Sequence, residues 1–207
     1  MDNNKRKLTE KELKRKNDFE KLSSEMQQKG YKMKNVVINT QKAKYLSILV
    51  MFPFMALVFW MYYHVNGFDL DCLSWGFLVA LIVLISCLII LHELIHGITW
   101  AIFAKNHFHA IGFGIIWNSF SPYCTCSNPL KKWQYLLGVA MPTLVLGGGG
   151  AVAAEMTDQL LLFLAAEYMI LSGGGDFQLI LRSILTDKRE SVYCDHPYEC
   201  GFVVFEK

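Results

Sequence analysis

The stretch LSWGFLVALIVLISCLIILHELIHG, residues 73–97, decides the architecture. Its first nineteen residues, Leu73 to Leu91, contain no Asp, Glu, Lys or Arg. A hydrocarbon core about 30 Å thick is crossed by roughly 20 apolar residues in a helix, so the run predicts a transmembrane span. Immediately after it stands His92-Glu93-Leu94-Ile95-His96-Gly97. Ionisable groups at such depth are expensive unless something pairs with them, and they mark functional positions.

Three more apolar blocks flank this one: Tyr45 to Tyr63, Trp133 to Ala154, and Gln159 to Leu181, the last interrupted by Glu167 and Asp176. The chain has 207 residues, 53% of them hydrophobic, and a positive mean hydropathy. A chain of this length cannot wrap four such helices in its own polar layer, so an all-α membrane protein of about four transmembrane helices is expected. The N-terminus does not read as a secretory signal, because the first apolar run begins after more than forty residues.

Net charge is only +2, but the placement of charge is informative. Of 20 Lys and Arg, thirteen precede Tyr45; Lys105, Lys131 and Lys132 lie between spans two and three; Arg182, Lys188, Arg189 and Lys207 follow span four. The other two loops hold Asp69, Asp71, Glu155 and Asp158 and no base. The positive-inside rule therefore puts both termini in the cytoplasm of a multi-pass protein of the cell membrane. The expected organisation is a basic cytoplasmic segment over 1–44, a four-span domain over 45–185 and a cytoplasmic tail over 186–207. Glu10, Glu12, Glu20 and Glu25 alternate with Lys14, Lys16, Lys21 and Lys29 at helical spacing. That fits a solvated helix near anionic headgroups, and no nucleic-acid partner is expected.

On a helix His92 and His96 share a face and can direct ring nitrogens at one ion. Catalytic zinc takes three protein ligands and keeps one position for water. Glu93 is placed to take that water's proton as general base. Asp176, in Ser172-Gly173-Gly174-Gly175-Asp176, is the expected third ligand, because counting residues to the nearest cytoplasmic charge puts it near the depth of His96. Gly174 and Gly175 would let the backbone approach a neighbour or unwind beside a cavity. Glu167 is the rival ligand, two and a half turns farther out.

Lys105 to Lys132, with alternation over Ala110 to Trp117, reads as a short β-hairpin dipping toward the site, whose edge could pair with an unwound substrate. Cys124 is a candidate for the site's mouth, and Cys124, Cys126, Cys194, His196 and Cys200 could alternatively gather a structural metal. Pro142 lies about 15 Å inside span three, where it frees a carbonyl and kinks the helix. Six cysteines, mostly on the reducing side, predict free thiols rather than a disulfide framework.

His92-Glu93-Leu94-Ile95-His96-Gly97, Pro122-Tyr123-Cys124, Pro129-Leu130, Met141-Pro142, Gly174-Gly175-Asp176 and Asp195-His196-Pro197 with Gly201 resemble the putative zincin peptidase family of small bacterial membrane proteins. The order of parts is also similar to site-two-protease-type intramembrane metalloproteases, although Gly-Gly-Gly-Asp-Phe replaces the Asp signature of that group. The resemblance implies His92, His96 and Asp176 as Zn2+ ligands and Glu93 as catalytic base. The expected activity is hydrolysis of a peptide or membrane-protein substrate near the cytoplasmic face. The alternative is a non-catalytic binding or immunity-like membrane protein with a structural metal site.

Overall fold

The computed structural model describes residues 10–38, 40–68, 71–116, 121–185 and 191–207. Asp69, Trp117, Lys188 and Arg189 of the sequence analysis lie outside these. The chain is mostly helical, and four helical stretches are long and apolar enough to cross a membrane: Ala43–Asn66, Trp75–Phe103, Lys132–Thr157 and Leu160–Leu185.

The first helix, α1 (Glu10–Gln28), is polar, and β1 (Lys32–Val37) follows it. The first span lies in α2 (Thr40–Asn66). The second is α3 (Trp75–Phe103), 29 residues and therefore about 43 Å long. Ser74 caps its N-terminus by accepting the Phe77 N–H. A helix of that length outruns a hydrocarbon core of about 30 Å, so the motif lies within a continuous helix that runs on beyond it.

After α3 a short 3₁₀ turn leads into the hairpin β2 (Ile111–Ile116) and β3 (Ser121–Cys126), paired antiparallel with Phe113 opposite Cys124. This is the hairpin the alternation predicts. After β4 (Leu130–Lys131), the third span begins as α4 (Lys132–Pro142), widens into a π-helical stretch over Thr143–Gly149 and finishes as α5 (Gly150–Thr157). The π turn starts directly after Pro142, where the missing N–H has already broken the i→i−4 ladder. The fourth span breaks at Gly173 into α6 (Leu160–Ser172) and α7 (Gly174–Leu185).

A four-stranded antiparallel sheet, order β1-β6-β5-β4, was not anticipated from the sequence; it adds β5 (Ser191–Asp195) and β6 (Gly201–Glu206). Alternation along β6 serves two faces. Phe202 and Val204 pack with Trp100, Tyr135 and Val139 at the ends of α3 and α4, while Val203 and Phe205 pack under α1 against Phe19 and Leu22. The solvated helix of the sequence analysis thus has an apolar stripe seated on this sheet. A separate cluster of Tyr62, Ala154 and Phe163 holds α2, α5 and α6 together at the opposite end of the bundle. Large apolar side chains such as Leu49, Phe52, Ile82 and Ile90 remain exposed on α2 and α3, as lipid-facing surfaces require.

Candidate metal centre

One turn of α3 separates His92 from His96, and both rings are buried. Their Nε2 atoms lie 3.2 Å apart. Asp176, in the first turn of α7, places Oδ2 at 3.1 Å from His92 Nε2 and 3.5 Å from His96 Nε2. Nitrogen and oxygen ligands about 2.0–2.2 Å from one tetrahedral ion are separated by about 3.3–3.6 Å, close to this triangle.

With both histidines neutral, the hydrogen-bond directions are compatible with a cation as well. His96 Nδ1 lies 2.8 Å from the carbonyl oxygen of Gly138, which can only accept, so Nδ1 carries the proton. A neutral His96 then presents a bare Nε2 to His92 Nε2 and to a carboxylate oxygen. A single proton on His92 Nε2 would have to serve two acceptors. A divalent ion would serve all three ligand atoms, and a His-His-carboxylate set suits zinc. Among the described residues these three form the group placed to hold an ion.

The shell around His96 is built from sequence features of α4. In a regular helix Gly138 O would accept from the N–H of residue 142. Pro142 has none, so the carbonyl is available to His96. Trp100 stacks on His96 at 5.2 Å between centroids, and its Nε1–H donates to Tyr135 O at 3.1 Å. A Cβ at position 138 would come within 2.0 Å of Trp100 Nε1, so only glycine fits. The residue after the motif is constrained in the same way: a Cβ on Gly97 would meet Phe113 Cζ at 2.6 Å. The missing side chain there admits side chains of β2 rather than a backbone.

Glu93, half-buried, lies against the backbone N–H of Cys124 on β3. Both line a cavity of about 490 Å³, as do the three ligand residues. Arg15 of α1 also lines it, donating to Tyr123 Oη at 2.7 Å and to Thr125 Oγ1 at 3.1 Å, so the N-terminal helix is tied to the hairpin across the mouth. Asp195 accepts from the Tyr135 hydroxyl and from the Cys126 N–H, both at 2.8 Å. Burial raises its carboxyl to about 6 against the pull of those two bonds.

The remaining sequence-predicted residues divide. Cys124 and Gly175 line the cavity. Gly174 packs on Ser47 of α2 and Gly173 on Thr143, so these two glycines serve helix contact. Pro142 is buried and acts through Gly138 rather than at the cavity wall. Glu167 stays apart from the ligand triangle, buried with Oε1 unpartnered. Cys124, Cys126, Cys194, His196 and Cys200 do not gather into a ligand set among the described residues: Cys194 Sγ turns to the carbonyls of Cys126 and Ser127, and Cys126 Sγ to that of Asn128. Burial raises Cys126 to about 12, so it stays an inert thiol. Arg15, Trp100 and Gly138 were missed by sequence reasoning; the i+4 spacing of Trp100 from His96 was the available signal for one of them.

Comparison with curated proteins and with solved structures yields no match. A family model described as putative zincin peptidase matches residues 85–192, a segment that holds His92, Glu93, His96 and Asp176 and ends in β5. That segment is more than half of the chain and carries the whole ligand triangle, so the protein belongs to the putative zincin peptidase family.

Proposed function

We propose that the protein is a membrane-embedded zinc metalloprotease that hydrolyses a peptide bond near the cytoplasmic membrane face. The observation that carries the reading is the convergence of His92 Nε2, His96 Nε2 and Asp176 Oδ2 within 4.8 Å of one another, in a cavity shared with Glu93. Family membership supports the hydrolytic class, and the four apolar helices support the membrane setting.

Bound at the triangle, zinc supplies a water acidified to a pKa of about 7 and a positive charge for the substrate carbonyl. Glu93 takes the proton of the attacking water and returns it to the leaving amine. The Cys124 N–H beside it orients that carboxylate, and β3 offers an extended backbone along which an unwound substrate segment can lie. Buried His92 and His96 are held by Asp176 and Gly138 before any substrate arrives. The substrate is a peptide or membrane protein reaching the site from the bilayer or its cytoplasmic surface. The chain is a multi-pass protein of the cell membrane with both termini in the cytoplasm.

Metal content and membrane proteomes test this together. The wild type should hold one zinc per chain and His92→Ala should lose it. Glu93→Gln should keep the zinc and abolish a fragment that cells carrying the wild type produce. Zinc retained by His92→Ala, or the same fragments with Glu93→Gln, would overturn the reading.

A further inference from the structure

Asp195-His196-Pro197 stands out in the sequence yet has no part in the ligand triangle, and it lies beyond the segment matched by the family model. All three residues line the cavity that holds Glu93 and the ligands. The turn that carries them is fixed on several sides. Asp195 is bonded to α4 through Tyr135 and to the end of β3 through Cys126. The His196 N–H donates to Gly201 O at 3.0 Å, and Cys200 O accepts from the Ile38 N–H at 2.9 Å, beside β1. Gly201 has φ +147° and its Cβ would lie 2.1 Å from Val36 O, so the turn can close against β1 only with glycine there.

The His196 ring is itself oriented. It is buried and meets the Tyr198 ring edge-on at 4.8 Å. Its Nδ1 accepts the Glu199 backbone N–H at 3.0 Å. A backbone amide can only donate, so the tautomer is assigned without ambiguity: a neutral ring carries its proton on Nε2. Burial lowers its affinity for a second proton, with Glu199 opposing, which favours the neutral ring near pH 7.

We propose that His196 is a further catalytic residue, a fixed Nε2–H donor to the substrate carbonyl oxygen as that oxygen becomes anionic. The inference rests on the hydrolase reading above. In the addition step a water oxygen bonds to the carbonyl carbon, its proton passes to Glu93, and the C=O π pair moves onto oxygen, which accepts the His196 hydrogen bond. In the second step that pair re-forms the C=O bond and the C–N bond breaks. Its electrons stay on nitrogen, which takes the proton from Glu93. His196 neither gains nor loses a proton; it stabilises charge that exists only between the steps, the kind of interaction that accelerates chemistry most.

The test uses the full chain in detergent with Co2+ in place of zinc, whose visible spectrum reports ligands directly. Methylphosphonate stands for the tetrahedral adduct and carries no side chain for a specificity pocket to reject. Ethanethiol reports metal access alone, since sulfur is a poor hydrogen-bond acceptor. His196→Ala should bind methylphosphonate about tenfold or more weakly, the loss of one hydrogen bond to an anion. Ethanethiol affinity and cobalt content should stay within about twofold by the same arithmetic, and His196→Gln, which keeps an N–H donor, should recover part of the loss. If His196→Ala loses the cobalt spectrum, His196→Phe, which keeps a ring beside Tyr198, carries the comparison; loss in both assigns His196 to the fold and overturns the proposal. Equal weakening of both probes, no change for methylphosphonate, or a wild type that binds ethanethiol but not methylphosphonate would also overturn it. A wild type that takes up no cobalt overturns the metal-centre reading itself, an outcome distinct from the others.

Discussion

Pro142 and Gly138 show how single residues of α4 set the chemistry of a histidine on another helix. The proline leaves the Gly138 carbonyl without a helical donor, and His96 Nδ1 occupies it at 2.8 Å. Pro142→Ala restores a competing N–H and should weaken zinc binding by about tenfold, within the usual 10–100-fold range for an outer-shell partner. Gly138→Ala should do more, since its Cβ would collide with the Trp100 indole that stacks on His96. Competitive chelator titration of the purified variants measures both; unchanged affinity in Pro142→Ala would remove the proline from this role. Asp195 makes a different kind of prediction. Its folded carboxyl is raised from 3.8 to about 6, so its contribution to stability is fully present below about pH 4 and is lost as pH rises through 6. The melting temperature of the wild type should therefore fall between about pH 4 and 6 relative to Asp195→Asn, as at most about 3 kcal/mol of unfolding free energy is lost. Parallel pH–melting curves for the two proteins would refute it.

At the scale of elements, the cap formed by α1, the hairpin and the sheet depends on a strand that is buried on both faces. Phe205 is fully buried between the sheet and α1, with its ring 6.2 Å from that of Phe19. Phe205→Ala should cost about 3–5 kcal/mol of local stability and accelerate hydrogen exchange across α1, releasing Arg15 from the hairpin. Exchange confined to β6, with α1 unchanged, would show that the helix does not rely on this contact. The reason this cap was hard to read is that β1 pairs with β6 across nearly the whole chain, Lys32 opposite Glu206. A four-residue apolar run, Phe202 to Phe205, in a C-terminal tail carries no signal of its distant partner. By contrast α3 and the β2–β3 hairpin were legible, because an uncharged run and a local alternation depend only on neighbours in sequence. The triangle was legible for a mixed reason. His92 and His96 share a face by helical spacing alone. Asp176 required a comparison of depth along two spans that run in the same direction, which works because membrane thickness gives both a common ruler. Arg15 reaches the cavity only because α1 is seated on the sheet, and so it escaped.

The whole molecule joins two solvent regimes. Exposed apolar faces on α2 and α3 suit contact with lipid, whereas the cap of α1, hairpin and sheet carries described basic residues such as Arg15, Lys32 and Lys131. The triangle of His92, His96 and Asp176 lies where these halves meet: His92 and His96 come from a helix long and apolar enough to cross a membrane, while the cavity wall is completed by Arg15 and Cys124 from the cap. That arrangement suits the proposed hydrolysis, in which the substrate would come from the bilayer and the water from the cap side. It also makes orientation testable. Cys72, exposed in the loop before α3, should face outward, and the exposed Glu20 on α1 should face the cytoplasm. A membrane-impermeant maleimide added to intact cells should label the wild type and not Cys72→Ser. Glu20→Cys, placed in a background of Cys72→Ser with Cys200→Ser, should be labelled only after permeabilisation. The opposite pattern would invert the molecule and place the cavity mouth outside the cell, where a substrate could reach it without crossing the membrane. The proteolysis reading would survive that result, but its cytoplasmic assignment would not.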